Sequence, residues 1–269
     1  MTAPIVVVGA TGTIGKALVD ALVASGQPVV AVAPRFDRLD RLRESSAAGL
    51  VTPIAGYIDS DAGAARLADR LRSLARPLAG VVVACPYGRT ADVGGDRGRL
   101  LDQTTEDFGT CIAQTVLAQH ALARHLVPLL AESGRNAHYV IVGGPGSETP
   151  WAGYGHRSVA MAATRMLARV LHDEARASGV RLQLVSIDSP VRGEQPDDHE
   201  CPEWPAASDV AQRVARLLDR AATDESSAAV IACARGMVAH PSGRAARAFR
   251  DVPSFLESLK NPTRKNTPQ

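Results

Sequence analysis

The sequence predicts an α/β fold, one doubly wound parallel sheet in a single domain, and three observations predict it. Short β-branched runs alternate with longer amphipathic stretches along most of the chain. A glycine-rich turn joins the first such run directly to the first amphipathic stretch. Hydrophobic residues make up 45% of the chain but aromatic residues only 4%, so Ala, Val and Leu carry the core, as suits helices packed closely on a parallel sheet.

The strand-like runs are residues 5–8, 29–33, 51–54, 80–84, 139–142, 181–187 and 229–233. Helix-like stretches fall between them at 14–25, 62–74, 105–131, 158–178 and 208–222. Strands that alternate with helices form βαβ units with right-handed crossovers. At 269 residues the chain fits one α/β domain over 1–240 with a C-terminal extension, 241–269, whose last residues read as a frayed tail. The segment 190–207 is rich in Pro and acidic residues, and so long an irregular stretch reads as a mobile loop over a site.

Thirty basic and 28 acidic residues leave a net charge of +2 with no long run of either sign, which argues against a nucleic-acid or membrane footprint. Cys85, Cys111, Cys201 and Cys233 lie far apart and form no metal or redox motif. The group Asp197, Asp198, His199, Glu200 and Cys201 matches no metal-site spacing, so no metal is expected. Reduced thiols and the lack of an apolar leader before Ile5 point to a cytoplasmic protein.

The run from Gly9 through Ala10, Thr11, Gly12, Thr13 and Ile14 to Gly15 carries the strongest chemical signal. It follows a strand and opens a helix, the context in which glycines cradle a dinucleotide. Gly9 permits the tight turn, Gly12 admits the pyrophosphate, and Gly15 lets helix and strand approach. The helix N-terminus offers free N–H groups and partial positive charge. The expected architecture is therefore Rossmann-type. The second strand ends without an acid, and Arg35 and Arg38 follow it, which favours the 2′-phosphate of NADP over the bare ribose of NAD. Asp37 stands between the two arginines and keeps NAD in play.

From residue 5 to about 234 the chain resembles the short-chain dehydrogenase/reductase family. The glycine turn has the GxxGxxG form of its extended and atypical members. The stretch from Tyr154 through Leu167-Ala168-Arg169-Val170-Leu171-His172-Asp173-Glu174 to Ile187 is similar to the family's active-site helix and sixth strand. The resemblance implies hydride transfer between a nicotinamide and a carbonyl or alcohol, with a Tyr acid, a Lys that tunes it, a polarising Ser and a supporting Asn.

This chain departs from that set. Tyr154 takes the Tyr position, but the Lys position holds Ser158. The Ser position falls on Gly143-Gly144, with Ser147 the nearest hydroxyl, and the Asn position falls on Thr115 beside Gln114. Gly193 stands where a Thr often touches the carboxamide, and Asp188-Ser189 where Pro-Gly usually follows the sixth strand. Arg157 is a candidate replacement cation and His156 a candidate proton donor, although both also read as exposed helix residues. The expected catalytic residues are thus Tyr154, Ser147 and Arg157. The expected cofactor set is Gly9, Thr11, Gly12, Thr13, Ile14, Gly15, Arg35, Asp59, Ala84 and Ser158.

A positioned general acid contributes roughly 10²–10⁴ in rate, and an oxyanion donor about 10²–10³. A chain missing both the Ser and the Lys is not an efficient reductase of simple ketones. The expected activity is an NADP-linked reduction of a carbonyl or conjugated double bond in a small apolar metabolite. The alternatives are a non-redox cyclase, dehydratase or isomerase on the same scaffold, or a non-catalytic NADP(H)-binding regulator. Substrate contacts are expected from 85–98, 143–151 and 190–207, with Trp151 and Trp204 as an apolar wall. The resemblance also implies a homodimer or homotetramer formed through 105–131 and 158–178.

Overall fold

The valine-rich runs form seven strands: β1 (Ile5–Val8), β2 (Val29–Ala33), β3 (Val51–Ala55), β4 (Gly80–Val83), β5 (His138–Val142), β6 (Arg181–Ser186) and β7 (Val230–Ala232). The structure, a computed structural model, describes residues 2–46, 49–74, 77–84, 98–134, 137–151, 153–193, 201–219 and 227–233. All seven strands join one sheet in the order β3-β2-β1-β4-β5-β6-β7, and every pairing is parallel.

Val, Ile and Ala fill the central strands because both sheet faces are covered. Along β1, Val6 and Val8 pack into one core and Ile5 and Val7 into the other. The first core is closed by α3 (Asp61–Ser73), α5 (Ala118–Glu132) and α6 (Gly155–Ala177), through residues such as Leu67, Leu126 and Ala168. The second is closed by α1 (Thr13–Ala24), α2 (Phe36–Ser45) and α7 (Ala207–Leu218), through Leu18, Leu39 and Val214.

The chain leaves β1 in one direction across the sheet and returns to its other side at β4. The crevice beyond the carboxyl ends of β1 and β4 is where open α/β sheets bind ligands.

The helices differ from expectation in three places. The short charged α2 buries only Leu39 and Leu42 and was not among the expected helices. The expected continuous helix over 105–131 is α4 (Thr105–Ile112), a π-helical turn over Ala113–Leu117, and α5. Helix α6 begins at Gly155 rather than Ser158. No helix among the described residues is long and apolar enough to cross a membrane. The extension 241–269 and the acidic group at 197–200 lie outside the described residues.

Candidate functional site

The glycine turn is built from backbone. Gly9 adopts φ 84°, the left-handed region that glycine tolerates, so the chain reverses as it leaves β1. The Gly9 and Ala10 N–H groups both donate to the Val32 carbonyl at 2.8 and 3.1 Å, which fixes the turn to β2. A Cβ on Gly15 would lie 2.0 Å from the Gly9 carbonyl oxygen, so α1 lies directly against the turn. Helix α1 has Gly12 at its N-cap, no side-chain cap and no acid in its first turn. Its first N–H groups and dipole therefore face the crevice without a competing carboxylate.

Two cavities open on either side of Gly9. The larger, about 470 Å³, is lined by Gly9, Gly12, Thr13 and Ile14 from the turn, and by Ala84, Gly143, Gly144 and Ile187 from the ends of β4, β5 and β6. Pro145, Trp151, Arg157, Ser189, Pro190 and Val191 complete it. The smaller, about 150 Å³, lies beyond β2 and β3 and is lined by Ala33, Pro34, Tyr57, Ile58, Asp59, Gln114 and Gln119 among others.

This pair of cavities fits a dinucleotide. Its pyrophosphate would cross the Gly9–Gly12 backbone, with the adenosine in the smaller cavity and the nicotinamide in the larger. The smaller cavity also holds a group that calls for a ligand. Gln114 Oε1 is buried there and accepts no hydrogen bond. Such an orphan costs about 1–3 kcal/mol, which an adenine amino group would relieve.

The expected cofactor residues divide between these cavities and the rest of the fold. Gly9, Gly12, Thr13, Ile14 and Ala84 line the larger cavity, and Asp59 lines the smaller. Thr11 and Gly15 shape the turn without appearing in either lining. Arg35 lies just past Pro34, at the edge of the smaller cavity, and forms a forked pair with Asp37. The pairing holds the Asp37 carboxyl below its ordinary range and the guanidinium above its own, chiefly through the hydrogen bonds they share.

Ser158 is a correction. Its buried hydroxyl accepts from the main-chain N–H of Trp151 at 2.8 Å and donates to the main-chain carbonyl of Tyr154 at 3.2 Å, so it serves the chain and lines neither cavity. Gly146, at φ 99°, crowds the same hydroxyl: a Cβ there would lie 2.7 Å from Ser158 Oγ. Ser158→Ala is expected to cost about 1–2 kcal/mol of stability, read by urea unfolding, with dinucleotide affinity unchanged. An affinity loss as large as the stability loss would return Ser158 to the cofactor set.

The expected catalytic residues also separate. Ser147 turns away from the larger cavity, its hydroxyl 3.4 Å from that of Ser186. Ser186 accepts from Arg165 at 3.2 Å and Arg165 is ion-paired with Glu148, so this cluster ties the loop after β5 to α6 and β6. Tyr154 is the N-cap of α6, with a non-helical backbone at φ −131° and ψ 42°. Its ring is stacked on Trp151, with centroids 4.1 Å apart, and stands outside the cavity lining. The side chain of α6 that does line the cavity is Arg157, whose guanidinium carbon lies over the Tyr154 ring at 5.4 Å.

The bland reading of His156 and Arg157 as exposed helix residues is likewise corrected. His156 is buried, with its Nδ1 3.0 Å from Gln103 Nε2, and does not line the cavity. Trp204 also stays out of the lining. The backbone of 201–207 is held at the neck of its loop, where Arg192 N–H donates to the Pro205 carbonyl and Arg192 Nε to that of Trp204, at 2.9 and 2.8 Å. Residues 85–97 and 194–200, from which substrate contacts and a lid were expected, lie outside the described residues.

Sequence reading missed Ser189 and Tyr57 as lining residues, because loop positions carry no periodic signal. It named Gln114 only as a neighbour of Thr115. Thr115 itself is buried in the π-helical turn, a rare element that often marks functional sites.

The short chain dehydrogenase family model matches residues 3–191. The chain therefore belongs to the short-chain dehydrogenase/reductase family. Its solved structural relatives are similar in fold at low identity. A short-chain type dehydrogenase/reductase from Mycobacterium ulcerans is 20% identical over 86% of this chain and 89% of its own, with a TM-score of 0.73. A short-chain dehydrogenase from Sphingobium yanoikuyae in complex with NADPH is 22% identical over 99% of both chains, at 0.67. ElxO with NADP bound is 14% identical over 87% of this chain and 97% of its own, at 0.72. No curated protein matches the sequence.

Proposed function

We propose that this protein is an NADP-linked reductase that acts on the carbonyl or conjugated double bond of a small, largely apolar metabolite. The observation that carries the reading is the larger cavity, apolar on most sides, with a single charged side chain, Arg157, among its described lining residues. NADP over NAD rests on Arg35 at the end of β2, and the NADPH-bound relative supports a nicotinamide dinucleotide in this cleft.

NADPH, when bound, supplies hydride to an electrophilic carbon. The chain's own contribution is binding, orientation and charge. The Gly9–Gly12 backbone and the first turn of α1 hold the pyrophosphate. Trp151, Ile187, Pro190 and Val191 pack against apolar substrate and exclude water. Arg157 stabilises negative charge on the substrate oxygen as hydride arrives at the conjugated carbon. Arginine does not give up its proton near neutral pH, so the proton that completes the reduction comes from solvent. Substrates whose reduced anion is already stable, such as enones and quinones, suit this arrangement. Simple ketones, which need a proton donor at the oxygen, do not.

Incubation with NADPH and either 2-cyclohexenone or a naphthoquinone is expected to bleach the reduced nicotinamide absorbance, while cyclohexanone gives no turnover. NADPH binding without turnover on any electron-poor acceptor would overturn the redox reading and favour a non-catalytic or non-redox role. Assembly as a homodimer or homotetramer is part of the same proposal. Leu117, Val159, Met166 and Val170 expose apolar surface on the elements from which it was expected. A monomeric mass in solution would remove it.

A further inference from the structure

We infer that Gln114 selects the base of the dinucleotide: its buried amide oxygen accepts from the 6-amino group of adenine, so the protein discriminates against a 6-oxopurine in the same place. The inference rests on the smaller cavity being the adenosine site. Gln114 is then a specificity residue beside Thr115, the position where the family resemblance implies a supporting Asn.

Gln114 belongs to the π-helical turn over Ala113–Leu117, where the Ala118 N–H donates to the Ala113 carbonyl five residues back. Such a turn holds one residue more than an α-helical turn, and here Gln114, Ala118 and Leu122 line one cavity. The Gln114 Oε1 is buried, and no hydrogen bond reaches it from the described residues. Gln119 lines the same cavity but has an interaction of its own. A glutamine on an exposed helix face keeps its hydration. One whose oxygen is buried and unpaired destabilises the empty protein, and a ligand that brings an N–H donor removes that cost.

The rest of the cavity decides what kind of donor enters. At about 150 Å³ it falls below the roughly 300–1,000 Å³ of sites for drug-sized ligands, and it suits a single flat ring. Val32, Ala33, Pro34, Ile58, Ala118 and Leu122 give apolar walls for the faces of such a ring. Asp59, the carboxylate among the described lining residues, only accepts hydrogen bonds when ionised. Gln114 Oε1 and Asp59 are therefore both acceptors, and the cavity calls for N–H donors on the edge of the ring. Adenine presents them on its 6-amino group. Hypoxanthine presents an oxygen there, which would face the Gln114 oxygen and leave it unpaired.

The test titrates NADP⁺ and its hypoxanthine analogue, in which a 6-oxo group replaces the 6-amino group, into the full-length protein by calorimetry. NADP⁺ is expected to bind at least about fivefold more tightly than the analogue. Gln114→Met, which keeps the length of the side chain and removes the acceptor, brings that ratio below about twofold. The same variant raises the urea midpoint of the ligand-free protein, because the unpaired oxygen is gone. Equal binding of the two compounds by the wild-type protein, needing no variant, overturns the inference: the amide then turns to suit either base and selects neither. So does a ratio that survives Gln114→Met, which would assign the preference to other groups of the cavity. A Gln114→Met protein whose midpoint falls overturns it too, because Gln114 would then be satisfied within the fold. Equal binding leaves the dinucleotide reading standing, whereas wild-type protein that binds neither compound sinks that reading and this inference with it.

Discussion

Gly15→Ala is expected to destabilise the fold by at least about 2–3 kcal/mol and to abolish measurable NADPH binding. In an ordinary helix the same change stabilises by roughly 0.5–1 kcal/mol, because alanine loses less backbone entropy. The sign reverses here because a Cβ would lie 2.0 Å from the Gly9 oxygen, 2.8 Å from the Gly9 carbonyl carbon and 3.0 Å from Ala10 Cα. All three are backbone atoms of a turn tied to Val32, so no side chain can swing aside. The helix must lift instead, and with it Leu18, Val19 and Leu22, which are buried in the core that α1 shares with α7.

Gly12→Ala provides the contrast. Its Cβ would meet only the Gly9 oxygen at 3.4 Å, and its backbone at φ −80° suits any residue. Stability should hold while the methyl intrudes on the pyrophosphate path. Urea unfolding and NADPH titration of the two variants separate a glycine kept for packing from one kept for the ligand. Equal stability in Gly15→Ala and wild type would show that the turn and α1 are not in contact as described.

The same distinction explains how much of the molecule was legible in its sequence. Valine runs buried on both faces and a glycine turn between strand and helix are local patterns imposed by the parallel sheet, and both were readable without a structure. The π-helical turn at Ala113–Leu117 was not, because no Gly or Pro in that stretch marks a break. The site failed on helix phase. A helix turns about 100° per residue, so where α6 starts decides which side chain looks into the cleft. Periodicity placed that start at Ser158 and the family pattern placed the chemistry on Tyr154. The helix in fact starts at Gly155, leaves Tyr154 as its cap and brings Arg157 around to the cavity. Ser158 then faces inward, onto the loop that carries Trp151. Spacing relative to a motif does not carry that rotation when the motif itself is incomplete.

Arg35→Ala is expected to weaken NADPH binding by roughly tenfold or more and NADH binding by less than about threefold. The structure sharpens this expectation through Asp37. Arg35 Nε and Nη2 donate to the two Asp37 carboxylate oxygens at 3.2 and 2.9 Å, so the fork that would grip a 2′-phosphate already grips an anion of the chain. Both partners are solvent-exposed, with side-chain exposures of 58% and 48%, and exposed pairs are weak and screened by salt. A phosphate that carries more charge than Asp37 can displace it. Asp37 then acts as a competitor that sets how strongly the chain prefers NADP, and Asp37→Asn is expected to raise NADPH affinity several-fold. NADH, which has no 2′-phosphate, should not respond. The Asp37 carboxyl is held below its ordinary range by Arg35, so Asp37 stays ionised across neutral and mildly acidic pH. A phosphate monoester loses charge as pH falls through about 6 and competes less well there. Titration of both cofactors into wild type, Arg35→Ala and Asp37→Asn settles the matter. Equal losses of the two cofactors in Arg35→Ala would mean that the arginine supports the fold of the β2–α2 turn and does not read the phosphate. An Asp37→Asn protein that gains affinity for NADH as much as for NADPH would mean that Asp37 repels the pyrophosphate rather than occupying Arg35.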